Sequence, residues 1–509
     1  MLTDAAANIG RGVFVRIPCH PLINPRRLWE DRDGAVLPYV ALMLIAIIAL
    51  AALAIDGSRL MSVQTQLQNA ADALALAGAA ELDRRPDSII RARSAIDDLI
   101  ANPVAGAGTD QAAQVSNIEF LQTLPVSEDL PITDANLTDD PTLAAYVQVT
   151  VKPVSMLTLF PVSLLAGRQT ISVGAQAVAG YDQVVCNVTP LYVCNPFEAP
   201  GMTYYQATQA LAEASHDPAS QRRLIRLAGS QFNNGAYTVG TMGYVAPDTG
   251  LLPAASCGPG AGYGVPQALA SSQVRACFRL SGINLLPSED QPSMDGLNTR
   301  FDIYRNGFSA CRIYAPDQNV RKGFITFGNA NWCNAQPASP RWPMPDPTAT
   351  ALPVDQNMIR ANGTLDTSVV VGNGVWNCAA YWSIAHAIGP GKNSPPPGCT
   401  KAATISRYDV YNYEMNFLSD RSLSAETGGP QCAPPGEVAR RVVIAGIVNC
   451  GSTPVPIHAD AQAVPLAAFG RFFLVLPAEP GTNGNPYAEF LGLVKRSDPL
   501  SSDLVELYR

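Results

Sequence analysis

Residues able to do chemistry are few and scattered in this chain. The four histidines, His20, His216, His386 and His458, lie far apart, and none sits in an HExxH or similar metal-binding pattern. No GxSxG elbow and no phosphate-binding P-loop occurs. The glycines of GPGAGYG, Gly258 to Gly264, have the composition of a nucleotide loop, but no strand pattern precedes them and Cys257 adjoins them. A loop beside a disulfide is the expectation there. Asp97–Asp98 and Asp139–Asp140 are paired carboxylates in polar segments, where solvated faces and turn caps account for them. Asp56-Gly57-Ser58 opens like a metal-binding DxSxS motif, lacks the second serine and abuts an apolar run. The residues therefore read as a non-enzyme, with no catalytic set, no metal, no cofactor and no small-molecule substrate.

Sulfur is the exception. Cys19 stands alone early in the chain, and the other ten of eleven cysteines follow Val185. These are Cys186, Cys194, Cys257, Cys277, Cys311, Cys333, Cys378, Cys399, Cys432 and Cys450. Their spacing lacks the CxxC pairs of a metal cluster, so an even set of disulfides is expected, as in an oxidising compartment. Pairing of neighbours, Cys186 with Cys194 and Cys257 with Cys277 onward, is the simplest guess; spacing alone leaves the connectivity open.

The element that must separate these two groups is an uncharged run, Val36 to Ile55. Its twenty residues suit a hydrocarbon core of roughly 30 Å, and Asp33 and Asp56 bound it. Val36, Leu37, Pro38, Tyr39, Leu44, Ile48, Leu53 and Ile55 are taken as anchor residues. Arg11, Arg16, Arg26, Arg27 and Arg32 precede the run, which places the N-terminus in the cytoplasm and the rest of the chain outside it. Trp29 and Tyr39 fall where an interfacial aromatic belt would lie. A net charge of -8 without a basic run argues against a nucleic-acid partner.

Beyond the span, Leu60, Val63, Leu67, Ala70, Leu74 and Ala77 recur in steps of three and four, one packing stripe on a continuing helix. If unbroken to Leu82 that helix is about 70 Å long, with Gly57 as the expected bend. A second helix should start near Pro86, carry Ile89, Ile90, Ile96 and Leu99, and end before Pro103. Strands are expected around Val115–Phe120, Val147–Val151 and Ile171–Ala177, with a short helix over Val154–Ala166. After Gly180, helices are expected at Tyr204–Ala228, Pro266–Leu280, Met294–Tyr304, Ala379–Ile388 and Ser406–Leu418. Apolar strands are expected at Arg441–Cys450, Phe469–Leu476 and Glu489–Val494. The fold class is α/β, α+β overall. A cytoplasmic tail (1–35) precedes the transmembrane helix (36–55). A pilin-like helix and small sheet (56–181) then lead to a larger, loop-rich, disulfide-rich α/β domain outside the cytoplasm (182–509).

The stretch GAVLPYVALMLIAIIALAALAIDGSRLMSVQTQLQNAADALALAGAAEL resembles the N-terminal domain of TadG-like proteins of the Tad (Flp) pilus-assembly system. A Gly before the span, an Asp just after it, then Arg and xLQNAADAxALAGA carry the likeness. AGYDQVVCNVTPLYVCNP, GLNTRFDIY, GNGVWNCAAYW and RRVVIAGIVNC also resemble the disulfide-rich C-terminal region of some members. The resemblance implies a single-pass protein of the bacterial inner membrane, with a large periplasmic part and other Tad pilus-assembly proteins as partners. Many members carry a von Willebrand factor A domain with a metal site. Here DQVVCNVTP, Asp182 to Pro190, lacks its DxSxS, so a degenerate version of that fold without the metal is expected. Pseudopilin-type cleavage after Gly34 is not expected, because Tyr39 stands where those proteins place Glu. The functional expectation is a scaffold for pilus assembly; the alternatives are an envelope-anchored adhesin and, behind it, a tethered periplasmic hydrolase.

Overall fold

The computed structural model describes residues 36–99, 103–104, 111–112, 114–125, 130–158, 170–229, 240–246, 264–271, 276–286, 291–305, 307–309, 311–319, 353–385, 394–416, 439–458, 461–478 and 485–508. The chain divides into two units. One holds Met1–Gln66, Val104–Gln111 and Pro153–Gly174; the other holds Leu67–Pro103, Ala112–Lys152 and Ala175–Arg509.

Helix α1 runs over Val36–Ala79 without interruption, about 66 Å of rise for its 44 residues. Pro38 is tolerated because it lies in the first turn, where its missing N–H has no intrahelical acceptor anyway. Gly57 does not break the helix, contrary to the expected bend there. Helix α2, Ser88–Leu99, buries Ala92 and Ile96 and leaves Ile90 and Leu99 exposed.

The first sheet contains β1 (Val115–Leu121), β2 (Tyr146–Leu157), β3 (Thr170–Cys186), β8 (Cys277–Arg279) and β12 (Ser501–Leu507). Its order is β8-β3-β2-β1, with β12 also paired to β3. Val147, Val149 and Val151 are fully buried, yet so is most of Gln148 between them, so one strand of the expected alternation is covered on both faces. The short helix expected over Val154–Ala166 is not formed in its described part, where β2 continues to Leu157. Buried Met156 alternates with exposed Ser155 and Leu157, a period of two that outweighs the helical reading. Residues 159–169 of that expectation lie outside the described residues.

The second sheet is built from β4 (Leu191–Cys194), β5 (Leu224–Arg226), β6 (Ala228–Gly229), β7 (Thr241–Tyr244), β9 (Val442–Val448), β10 (Ala468–Leu476) and β11 (Tyr487–Leu493). Its order is β5-β11-β10-β9-β4-β7-β6. The β9–β4 and β6–β7 pairs are parallel, and the other described pairings are antiparallel. This is a mixed α+β arrangement, not the mostly parallel sheet of a doubly wound fold. The unbroken apolar sequence of β9 follows from cover on both faces. Val443, Ala445 and Ile447 enter one core with Leu211, Leu297, Phe301 and Phe490, whereas Ile444 and Val448 enter another with Val185, Ile283, Leu466 and Phe469.

Three expected helices come out shorter, each for a local reason. Helix α3, Tyr204–Ala214, starts at a Thr203 capping box with Gln206 and stops before Asp217, which caps the separate turn Pro218–Gln221. The chain then enters β5 instead of continuing to Ala228. Helix α4, Val265–Ala270, ends at an extended Ser271, and Phe278 and Leu280 are buried at the strand period of β8. Helix α5, Gln291–Asn298, passes into a 3-10 turn that ends at Asp302, whose φ of 57° is left-handed. Helix α6, Cys378–Ala385, covers the described part of Ala379–Ile388; helix α7, Arg407–Met415, is N-capped by Ser406 and C-capped at Asn416, and residues 417–418 of that expectation lie outside the described residues.

Candidate functional site

Anchor side chains come first. Val36, Leu37, Pro38, Tyr39, Leu44, Ile48, Leu53 and Ile55 are all exposed, Leu37 to 79 %. Apolar side chains facing outward along the first half of the helix form the kind of surface that marks a membrane or protein interaction site. The helix is long and apolar enough to cross a membrane. Just past the run, Asp56 is buried and Arg59 Nη1 stands 4.0 Å from its carboxylate.

Burial begins farther along α1. Leu67, Ala71, Ala75 and Ala79 are fully buried and Leu74 nearly so. Ala70 and Ala77 are only half-buried, as is Leu60, while Val63 is buried. The packing stripe therefore turns toward Ala71 and Ala75 instead of following Ala70 and Ala77. Gly78 permits the closest approach: a Cβ built there would stand 2.7 Å from Ile96 Cδ1 and 3.4 Å from Val147 Cγ1. Helix α2 and strand β2 thus both pack close on α1 at this glycine, where a side chain would require Ile96 to shift. Gln68 Nε2 donates to the Gln176 carbonyl of β3 at 3.1 Å. This half of α1 is a helix laid on a sheet.

The turn after α1 is fastened by charge. Arg91 donates to both Glu81 and Asp83, and its Nε is 3.1 Å from Asp87. The hydrogen bond from Arg91 holds the exposed Asp87 carboxyl below its usual range. Arg496 approaches Asp83 at 3.4 Å, donates to Asp503 at 2.6 Å and lies over the Tyr181 ring. Tyr181 in turn donates to Asp503 at 2.7 Å, and burial first, then that carboxylate, pushes its phenol up. Arg84, at a left-handed φ of 61°, is buried and donates to the Leu466 carbonyl.

A second polar centre was not visible in the sequence. Arg407 is buried at the start of α7. Its Nη2 donates to Asp355 at 2.5 Å and its Nη1 to Glu489 of β11 at 2.8 Å. Its Nε donates to the Pro353 carbonyl, and the guanidinium lies 4.9 Å from the Trp376 ring centre. Asp355 Oδ2 also accepts from the Leu224 and Gly374 amides. Burial pushes the Glu489 carboxyl up, opposed by Arg407 and by the Arg407 and Tyr408 amides. The named partners of the two carboxylates are all donors, and the arrangement ties five chain segments together. The guanidinium and both carboxylates are buried, so the arrangement is an ionic tie between segments.

Three disulfides join described residues: Cys186–Cys277, Cys194–Cys450 and Cys378–Cys399. Neighbour pairing is overturned for the first two. Sheet order decides them, since Cys277 lies directly opposite Cys186 across β8 and β3. Val448 of β9 lies opposite Cys194 of β4, which brings Cys450 within reach across a sequence separation of 256. Cys311 is also disulfide-bonded. Cys19, Cys257, Cys333 and Cys432 lie outside the described residues.

The scattered candidates remain apart. His216 and His458 are exposed, and His20 and His386 lie outside the described residues. Asp140 caps a turn by accepting from the Thr142 amide and hydroxyl, while Asp97 and Asp98 are exposed. Asp182, where a metal motif would begin, is engaged by the Ser281 amide and hydroxyl at 2.9 and 2.6 Å.

Residues 34–81 match a family model described as putative Flp pilus-assembly TadE/G-like. The match takes in the apolar run, α1 and the start of the turn that follows it, and it supports a role in Tad (Flp) pilus assembly. No curated protein and no solved structure matches the chain.

Proposed function

We propose that this protein is a membrane-anchored, periplasmic component of Tad (Flp) pilus assembly that acts as a scaffold through protein–protein contacts. The observation that carries this reading is the coincidence of the family match with one helix, exposed and apolar over its first half and packed on a sheet over its second. The arginines before the span support a cytoplasmic N-terminus and a single pass through the inner membrane. Disulfides after the span support an oxidising compartment for everything that follows. In this role the anchor helix presents its faces to other pilus-assembly helices, and the stapled domain presents a stable surface outside the membrane.

The contact claim is tested from inside the span. A photo-crosslinking amino acid at Leu44 or Ile48, both exposed, should yield adducts in living cells with other Tad pilus-assembly membrane proteins. Mass spectrometry of the purified adducts identifies them. Adducts with lipid alone at both positions would count against a scaffold acting through its anchor.

A further inference from the structure

We propose that the Cys186–Cys277 disulfide is a redox-sensitive clip, opened in the folded protein by a dithiol reductant to release strand β8 while the other two described bonds persist. Cys277 is exposed and Cys186 half-buried, whereas Cys194, Cys450, Cys378 and Cys399 are each at most 9 % exposed. Thiol–disulfide exchange requires a thiolate to reach the sulfur, so an exposed bond reacts directly and a buried one waits for the structure around it to open.

What the clip holds is small. Strand β8 has three residues, all in register with β3. The chain from Ala276 to Leu285 supplies Phe278, Leu280, Ile283 and Leu285 to the core that contains Val185 and Phe469. Beyond the clip, the Leu280 amide donates to the Gln183 carbonyl and the Ser281 amide to Asp182, both at 2.9 Å. Those bonds and the buried side chains keep the segment close after the sulfur link is cut. Opening is therefore local. By contrast, Cys194–Cys450 joins the two central parallel strands β4 and β9, whose separation requires the whole sheet to open.

The exchange balances without another reactant. One thiolate of the dithiol bonds Cys277 Sγ, and Cys186 leaves as a thiolate that takes up a proton. The second thiol then attacks the reductant's own sulfur in the mixed disulfide, Cys277 leaves and is protonated, and the reductant departs as a cyclic disulfide. Two electrons and two protons pass to the protein.

The test uses the full chain in detergent micelles under native conditions. Dithiothreitol is added for increasing times, free thiols are trapped with iodoacetamide and the labelled peptides are mapped. Cys186 and Cys277 should be labelled at least about tenfold faster than Cys194, Cys450, Cys378 and Cys399, because only the buried bonds need prior opening. Amide exchange over 277–279 should then accelerate by about tenfold while β9 and β10 stay protected. Earlier labelling of either buried pair, or joint loss of all three bonds with global unfolding, overturns the proposal. So does opening of Cys186–Cys277 without faster exchange over 277–279.

Discussion

Replacing Arg407 with Met should strongly destabilise the disulfide-rich domain. The guanidinium faces two buried carboxylates, Asp355 and Glu489, and the substitution strands both with no water to replace it. Removing one partner of a buried ion pair costs about 3–5 kcal/mol, against a typical domain stability of about 5–15 kcal/mol. Here the loss is compounded, because Arg407 also caps the Pro353 and Arg222 carbonyls and covers the Trp376 ring. Urea denaturation of the detergent-solubilised chain should show the midpoint falling by the equivalent of about 3–5 kcal/mol. Arg407→Lys keeps the charge, loses the fork geometry and should fall by less. A midpoint unchanged in Arg407→Met would mean that the triad does not hold the domain together.

The second large effect lies in the span. Its apolar drive is led by five leucines (Leu37, Leu42, Leu44, Leu50, Leu53) and four isoleucines (Ile45, Ile47, Ile48, Ile55). At about -0.5 kcal/mol each these contribute about -4 to -5 kcal/mol toward insertion. One central arginine adds about 3 kcal/mol and leaves insertion marginal; two add about 6 and reverse it. The double change Leu44→Arg with Ile48→Arg should therefore move the chain from the carbonate-washed membrane pellet to the soluble or degraded fraction. Full retention in the pellet would show that something other than α1 holds the protein there.

Both predictions rest on residues whose legibility in sequence differed sharply. The span was legible because an uncharged run is a local property, and β9 was legible because burial on both faces leaves seven apolar or small neighbours in a row. The packing stripe was readable only to within one residue. Leu67 and Leu74 fix two points on the helix, but the alanines between and beyond them make adjacent faces equally apolar, and only contacts in the fold, Gly78 against Val147 of β2 and Gln68 bonded to β3, show which face meets the sheet. The disulfides were countable but not pairable, because Cys186–Cys277 follows from β3 lying beside β8 and Cys194–Cys450 from β4 lying beside β9. Arg407 was invisible for a related reason: its partners lie 52 and 82 positions away, and no local pattern marks an arginine destined for burial. The shortened helices failed at single residues, Asp217–Pro218 and Ser271, where a cap or an extended backbone overrode a helical composition.

The most direct measurement of the central claim is the count of surface Flp pili in a strain lacking this protein, with and without the full chain restored. The account predicts that pili are lost or sharply reduced in the deletion and return on restoration, with levels of the cytoplasmic secretion ATPase unchanged. Normal piliation in the deletion strain would contradict it.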